Sequence, residues 1–292
     1  MAAWTRRECL RAVPLGVLAA SAGGSAPAGT ARLKTAICAY SYRQALARGT
    51  MTYEDLVRLA AEQGVDGLDL TVYWFPSTSD DFLLPLRRLA YKNAVEIYSI
   101  AIRTDMCRQA PEAREKEVAE VRRWVDVAEK LGAGHIRVFG GNVPPGRTEE
   151  EAVGWVVETL QRSAEYAGRK GILLGLENHW GITTRAERIV EIVRKTDSPW
   201  VGINLDTGNF RENPYEQMEM CLPYTVNVQM KSEVRGAEGG PQRLDWERIG
   251  AMLARAGYRG FLSLEYEAAE DPSTAVPRLL AELRRLAARY SA

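Results

Sequence analysis

Short apolar runs alternate with longer amphipathic stretches eight times along this chain, and few folds are compatible with that rhythm. The runs are "LKTAICAY" (33–40), "VDGLDLTV" (65–72), "VEIYSIAI" (95–102), "HIRVFGG" (135–141), "GILLGLEN" (171–178), "WVGINLDTG" (200–208), "YTVNVQMK" (224–231) and "GFLSLEYE" (260–267). Between them apolar residues recur at helical spacing over 53–63, 82–92, 112–131, 149–170, 185–196, 214–221 and 244–256, and 274–290 closes the chain. The runs have the length and bounding turns of buried strands. Several amphipathic stretches end in the glycine that suits the residue after a helix, as in "EQG", "KLGAG", "GRKG" and "RAGYRG".

Strand then helix, repeated eight times over about 260 residues, predicts an α/β fold of the (β/α)8 TIM barrel type. An open doubly wound sheet shares the alternation, but its first strand leads into a glycine-rich phosphate loop. "AYSYRQALARGT" is not such a loop. The turn-rich segments "GGNVPPGRTEE" (140–150) and "SEVRGAEGGPQR" (232–243) each lie between a strand and a helix, so they are expected as loops over the barrel mouth. One barrel domain over 31–292 follows.

Residues 1–30 break the pattern. They pair Arg6 with Arg7, continue through a weakly apolar run over 12–20, and offer Ala26, Pro27 and Ala28 as a small-residue cleavage site. The segment resembles a twin-arginine export signal, with Cys9 where Phe is common. Its apolar run is shorter than the roughly 20 residues of a spanning helix. The expectation is export to the periplasm or cell envelope, cleavage near Ala28 and no stable membrane insertion afterwards. A plain secretory signal, a retained anchor and a disordered tail are the other readings.

Beyond Cys9 the chain carries Cys38, Cys107 and Cys221, an odd number without a CxxC pair, so no structural disulfide is expected. Its 38 basic and 38 acidic residues cancel, leaving no net field to favour nucleic acid or an anionic membrane.

Catalytic groups of a TIM barrel gather at the carboxyl ends of its strands. The last four runs end in Glu177, Asp206, Gln229 and Glu265, one oxygen-bearing side chain on each of four consecutive strands. Three carboxylates in a dry pocket stay ionised only with a cation among them. Oxygen donors of this kind suit Mn²⁺ or Mg²⁺.

The motifs "GLENHWG", "GINLDTGNF", "VNVQMK" and "FLSLEYE" resemble the metal-binding strand ends of the sugar phosphate isomerase/epimerase superfamily, the xylose-isomerase-like TIM barrels. The similarity runs from about residue 33 to the end of the chain. In epimerases of that superfamily the corresponding positions hold Glu, Asp, His and Glu around one Mn²⁺ or a related ion such as Mg²⁺ or Co²⁺. Glu177, Asp206 and Glu265 match, and Gln229 stands in place of the histidine. The resemblance implies a small carbohydrate substrate and proton transfer α to a carbonyl through an enediolate, with Glu177 and Glu265 moving the protons while touching the metal. Elimination of the aglycone from a 3-keto-glycoside on the same site is the alternative chemistry, and a non-catalytic sugar-binding barrel the alternative class.

His179, two residues past Glu177, is a candidate for sugar hydroxyls. Asn209 falls where many relatives carry a second histidine. Lys231 and Arg235 follow the seventh strand, where relatives often place a basic residue against a substrate oxygen. Tyr42, Tyr73, Trp74 and Trp180 offer aromatic faces to sugar C–H surfaces. His135 opens the fourth strand at the end remote from the active face and reads as structural, with Arg137 a candidate partner for a buried carboxylate such as Asp69. A DNA-repair endonuclease of the same fold needs several more histidines than the two present and a basic groove. The substrate stays open, as does a homo-oligomeric state.

Overall fold

The computed structural model describes residues 31–235 and 239–291. Barrel strands are β1 (Arg32–Cys38), β2 (Gly67–Thr71), β3 (Glu96–Ala101), β4 (His135–Val138), β5 (Leu173–Glu177), β6 (Val201–Asp206), β7 (Thr225–Met230) and β10 (Arg259–Leu264). They close in the order β1-β10-β7-β6-β5-β4-β3-β2. The seam pairs the first and last strands in parallel, from Arg32 opposite Arg259 to Ile37 opposite Leu264. Around them lie α2 (Tyr53–Glu62), α3 (Asp80–Lys92), α4 (Pro111–Leu131), α5 (Glu149–Arg169), α6 (Ala186–Thr196), α7 (Pro214–Cys221), α8 (Trp246–Arg255) and α9 (Pro272–Tyr290), with a short α1 (Arg43–Ala47) after β1. The TIM barrel is the fold the alternation predicts. One departure is β8 (Glu233–Arg235) with β9 (Pro241–Arg243), an antiparallel pair where the sequence reads as irregular loop.

Local chemistry starts and stops the helices. Thr52 with Asp55, and Thr148 with Glu151, form reciprocal capping boxes before α2 and α5. Gly132 ends α4 at φ 81°, a left-handed conformation that costs glycine least. The inner faces bury Leu56, Val121, Val156 and Ile189 completely against the barrel, each contributing about 1.5–3 kcal/mol.

Inside, the barrel carries a polar chain that pins its strands. The Tyr98 hydroxyl donates to Asn227 Oδ1 (3.1 Å), Asn227 Nδ2 to Asn204 Oδ1 (2.7 Å), Asn204 Nδ2 to Gln229 Oε1 (2.8 Å), and Gln229 Nε2 to Asp69 Oδ2 (3.2 Å). Each amide finds partners at both ends, as buried polar atoms require, while Asp69 Oδ1 has none. His135 is buried with Nδ1 2.8 Å from Ser99 Oγ, in keeping with a structural role. Its ring fits because β5 has glycine at 175: a Cβ there would lie 2.2 Å from His135 Nε2.

Cys38, Cys107 and Cys221 are buried and free, and no helix among the described residues is long and apolar enough to cross a membrane. The expected export signal lies outside the described residues.

Candidate active site

β5 and β6 end at Glu177 and Asp206, Gln229 is next to last on β7, and Glu265 directly follows β10. Parallel register sets Glu177 beside Asn204, Asp206 beside Gln229, and Gln229 beside Ser263. The four positions therefore follow one arc of the barrel mouth. Above them opens a cavity of about 940 Å³, whose lining includes Glu177, His179, Trp180, Asn209, Lys231 and Glu265. Asp206 and Gln229 lie fully buried beneath.

Two cations organise the carboxylates. Arg137 Nε stands 2.9 Å from Glu177 Oε2, and Arg137 Nη1 donates to the Tyr73 hydroxyl (3.1 Å) and the Ile102 carbonyl (2.7 Å). Its guanidinium lies 3.9 Å from the centroid of the Phe139 ring. The direct partner of Arg137 is thus Glu177 and not Asp69, because the arginine reaches up the barrel toward the mouth. Lys231 Nζ is 2.6 Å from Glu265 Oε1 and 3.4 Å from Asp206 Oδ2, and it also pairs with Glu267.

Smaller contacts fix the rest. Asn178 brackets the backbone of Asp206, donating to its carbonyl at 2.9 Å and accepting from its N–H at 2.8 Å. The Gly208 N–H donates to Asp206 Oδ1 at 2.8 Å. Asn209 Nδ2 donates to Glu177 Oε1 at 3.3 Å, and the Cys38 thiol to Glu265 Oε2 at 3.2 Å.

Burial pushes the Glu177 carboxyl well above its ordinary range despite Arg137, and lifts Asp206 to about 7 against the pull of Lys231. Burial acts on Glu265 in the same direction, yet Lys231 overcomes it and holds that carboxyl low. Burial, assisted by Arg137, lowers His179 to about 4, so its imidazole is neutral at pH 7.

The remaining candidates differ from expectation in instructive ways. Tyr42 packs into the core while Tyr40 lines the cavity. Both belong to the 3-10 helix Ala39–Tyr42, which turns once in about three residues, so positions two apart face different sides. Trp74 sits behind the wall, its ring 5.9 Å from Tyr40 and 5.8 Å from Tyr73. Arg235 lies on β8 opposite Pro241. Arg137 and Glu267, which the sequence did not single out for the site, line the cavity. The signal for Arg137 was an arginine within the apolar "HIRVF", since a charge in a buried strand needs a partner.

The donor set fits a hard divalent cation in chemistry. Glu177 Oε2 and Asp206 Oδ2 are buried and without a hydrogen-bond partner, each facing instead its cation, Arg137 Nε at 2.9 Å and Lys231 Nζ at 3.4 Å. Gln229 Oε1 accepts one from Asn204, and a carbonyl oxygen keeps a second lone pair. Among the described residues no three His, Cys, Asp or Glu side chains are grouped as a metal cluster. Lys231 stands between two of the carboxylates.

Fold and site together define a (β/α)8 barrel with a carboxylate-lined mouth. The chain belongs to the Xylose isomerase-like TIM barrel family, whose pattern it matches over residues 57–286. No curated protein matches it in sequence. Among solved structures it is similar to D-psicose 3-epimerase from Clostridium cellulolyticum H10, at 18% identity and a TM-score of 0.72 over 88% of this chain and 99% of that one. It is also similar to 3-keto-D-glucoside 4-epimerase from E. coli, at 15% identity and 0.69 over 87% and 99%. The probable 3-DHS dehydratase involved in petrobactin synthesis from Bacillus anthracis aligns at 17% identity and 0.64 over 87% and 98%.

Proposed function

We propose that the protein is a metal-dependent sugar isomerase or epimerase that moves a proton α to a carbonyl. One observation carries this reading: Glu177 and Glu265 are both buried, both line one cavity, and each is held by its own cation. Carboxylates so placed can take a proton from one side of a bound substrate and return one from the other. Arg137 and, without metal, Lys231 fix their orientation, and charge that develops on substrate oxygens meets these same two cations. His179, neutral, and Asn209 offer hydrogen bonds to hydroxyls. Phe139 and Trp180, with ring centroids 4.3 Å apart, supply an apolar wall for a sugar C–H face.

Glu177, Asp206, Glu265 and the carbonyl oxygen of Gln229 would hold the divalent ion, best matched by Mn²⁺, which when bound acidifies the C–H beside a coordinated carbonyl. Family membership supports the reading, and two of the structural neighbours bear names of sugar epimerases.

The cavity of about 940 Å³ is at the upper end of ligand pockets, which span roughly 300–1,000 Å³. That room favours a second reading, expulsion of an aglycone from a 3-keto-glycoside by the same proton abstraction. Incubation of the Mn²⁺-loaded protein with free ketoses and 3-keto-glycosides, followed by product analysis, separates the two. An epimer or isomer supports the first, a released aglycone the second, and no conversion of any carbonyl sugar counts against both. Residues 1–30 are proposed as a twin-arginine signal directing export to the periplasm. Substitution of Arg6 and Arg7 by lysine should hold the protein in the cytoplasm, and unchanged export would refute that assignment.

A further inference from the structure

We propose that Lys231 is a resident cation that competes with the divalent ion for Asp206 and Glu265, so that metal loading strips its ammonium of those two partners and leaves Glu267, which it already touches, as its remaining carboxylate. The inference rests on the metal reading above. Its basis is where the lysine is held and where it is free. The Lys231 N–H donates to Thr207 Oγ1 at 2.9 Å and its carbonyl accepts from Trp246 Nε1 at 2.7 Å, so the backbone is clamped on both sides. The stem lies over Gly208, where a Cβ would come within 2.6 Å of Lys231 Cγ. A glycine here lets the side chain run across the strand end into the carboxylate arc.

Its tip meets three carboxylates at once. Between Asp206 Oδ2 and Glu265 Oε1, at 3.4 and 2.6 Å, it is the counter-ion of two buried carboxylates. Glu267, on the cavity wall with its side chain 40% exposed, is the third partner and faces the substrate space. Mg²⁺, which shares a preference for oxygen ligands with Mn²⁺, binds oxygens at about 2.0–2.1 Å. An ion bonded to both Asp206 Oδ2 and Glu265 Oε1 would overlap the ammonium and repel it. Glu267 is the partner left outside that arc. Lys231 already lines the cavity, and loss of its two buried partners would leave its charge shared only with Glu267 and a bound substrate, coupling substrate anchoring to metal loading.

The test is Mn²⁺ titration of metal-free full-length protein, read from the electron paramagnetic resonance signal of free Mn²⁺, for the wild type and Lys231→Met. The proposal predicts that the variant binds Mn²⁺ at least about tenfold more tightly, and that without metal it melts at a lower temperature because its carboxylates have lost their cation. Glu267→Gln, which removes that remaining carboxylate, should weaken Mn²⁺ binding in the wild-type background and have a much smaller effect beside Lys231→Met. Mn²⁺ binding by the wild type with equal or weaker binding by folded Lys231→Met would overturn the proposal and leave the metal site standing. Absence of Mn²⁺ binding in every protein would overturn both. If Lys231→Met does not fold, Lys231→Gln keeps a polar tip without the charge and carries the same prediction.

Discussion

Arg137 Nε lies 2.9 Å from Glu177 Oε2, and neither side chain has appreciable contact with solvent. Two charges so enclosed depend on each other, since removal of one leaves its partner in a medium that cannot solvate it. Arg137→Met should destabilise the protein by about 3–5 kcal/mol in urea unfolding. Arg137→Lys, which keeps the charge but lacks the planar fork reaching Tyr73 and Ile102, should cost less.

Gly175→Ala tests the polar packing inside the barrel. The new methyl would sit 2.2 Å from His135 Nε2 and 3.0 Å from Asn204 Cβ, and overpacking of this kind costs about 1–3 kcal/mol or more. Combining it with His135→Ala should recover part of the loss, because the two side chains claim the same space. Equal losses with and without the histidine would show that the strain lies elsewhere.

Acid stability should depend on His135. Burial, with Arg137 nearby, lowers its pKa from 6.5 to about 3. Between these values the unfolded chain binds a proton that the folded protein does not, so stability falls as pH drops from about 6.5 toward 3. The full effect is on the order of 5 kcal/mol. Urea unfolding at pH 7.5, 5 and 4 should show a shallower decline for His135→Asn than for the wild type.

These predictions also mark what the sequence could and could not disclose. The barrel was legible because eight apolar runs of strand length alternate with helical spacing, a pattern imposed by burial alone. Glu177, Asp206 and Glu265 were legible because a carboxylate closing such a run is conspicuous. The pairing of Arg137 with Glu177 was not, since it depends on a side chain crossing between neighbouring strands, set by a register with Arg137 opposite Gly175. The chain from Tyr98 through Asn227 and Asn204 to Gln229 was hidden for a similar reason: a lone amide in a strand looks like solvent-facing alternation unless the sheet is known to close. Tyr40 and Tyr42 look equivalent in sequence, and only the turn they share separates them. The third contact of Lys231, with Glu267, joins two strand ends that the chain separates by 36 residues.

Metal content follows from the donor set. Purified full-length protein exposed to Mn²⁺ and then dialysed should retain close to one ion per chain by elemental analysis. The Glu177→Gln, Glu265→Gln double variant should retain almost none. Equal retention by both would place any bound ion away from these strand ends.

Solvent deuterium incorporation tests the central claim, that two carboxylates lining one cavity move a proton α to a carbonyl, most directly. Mn²⁺-loaded wild type, Glu177→Gln and Glu265→Gln would each be incubated in D₂O with ketoses and 3-keto-glycosides, and the carbon beside the carbonyl followed by NMR. The account predicts deuterium at that carbon with the wild type, and net conversion reduced by about 10²–10⁴-fold in each variant while both remain folded. Conversion at the wild-type rate in either folded variant, or no exchange into any carbonyl sugar by the loaded wild type, would contradict it.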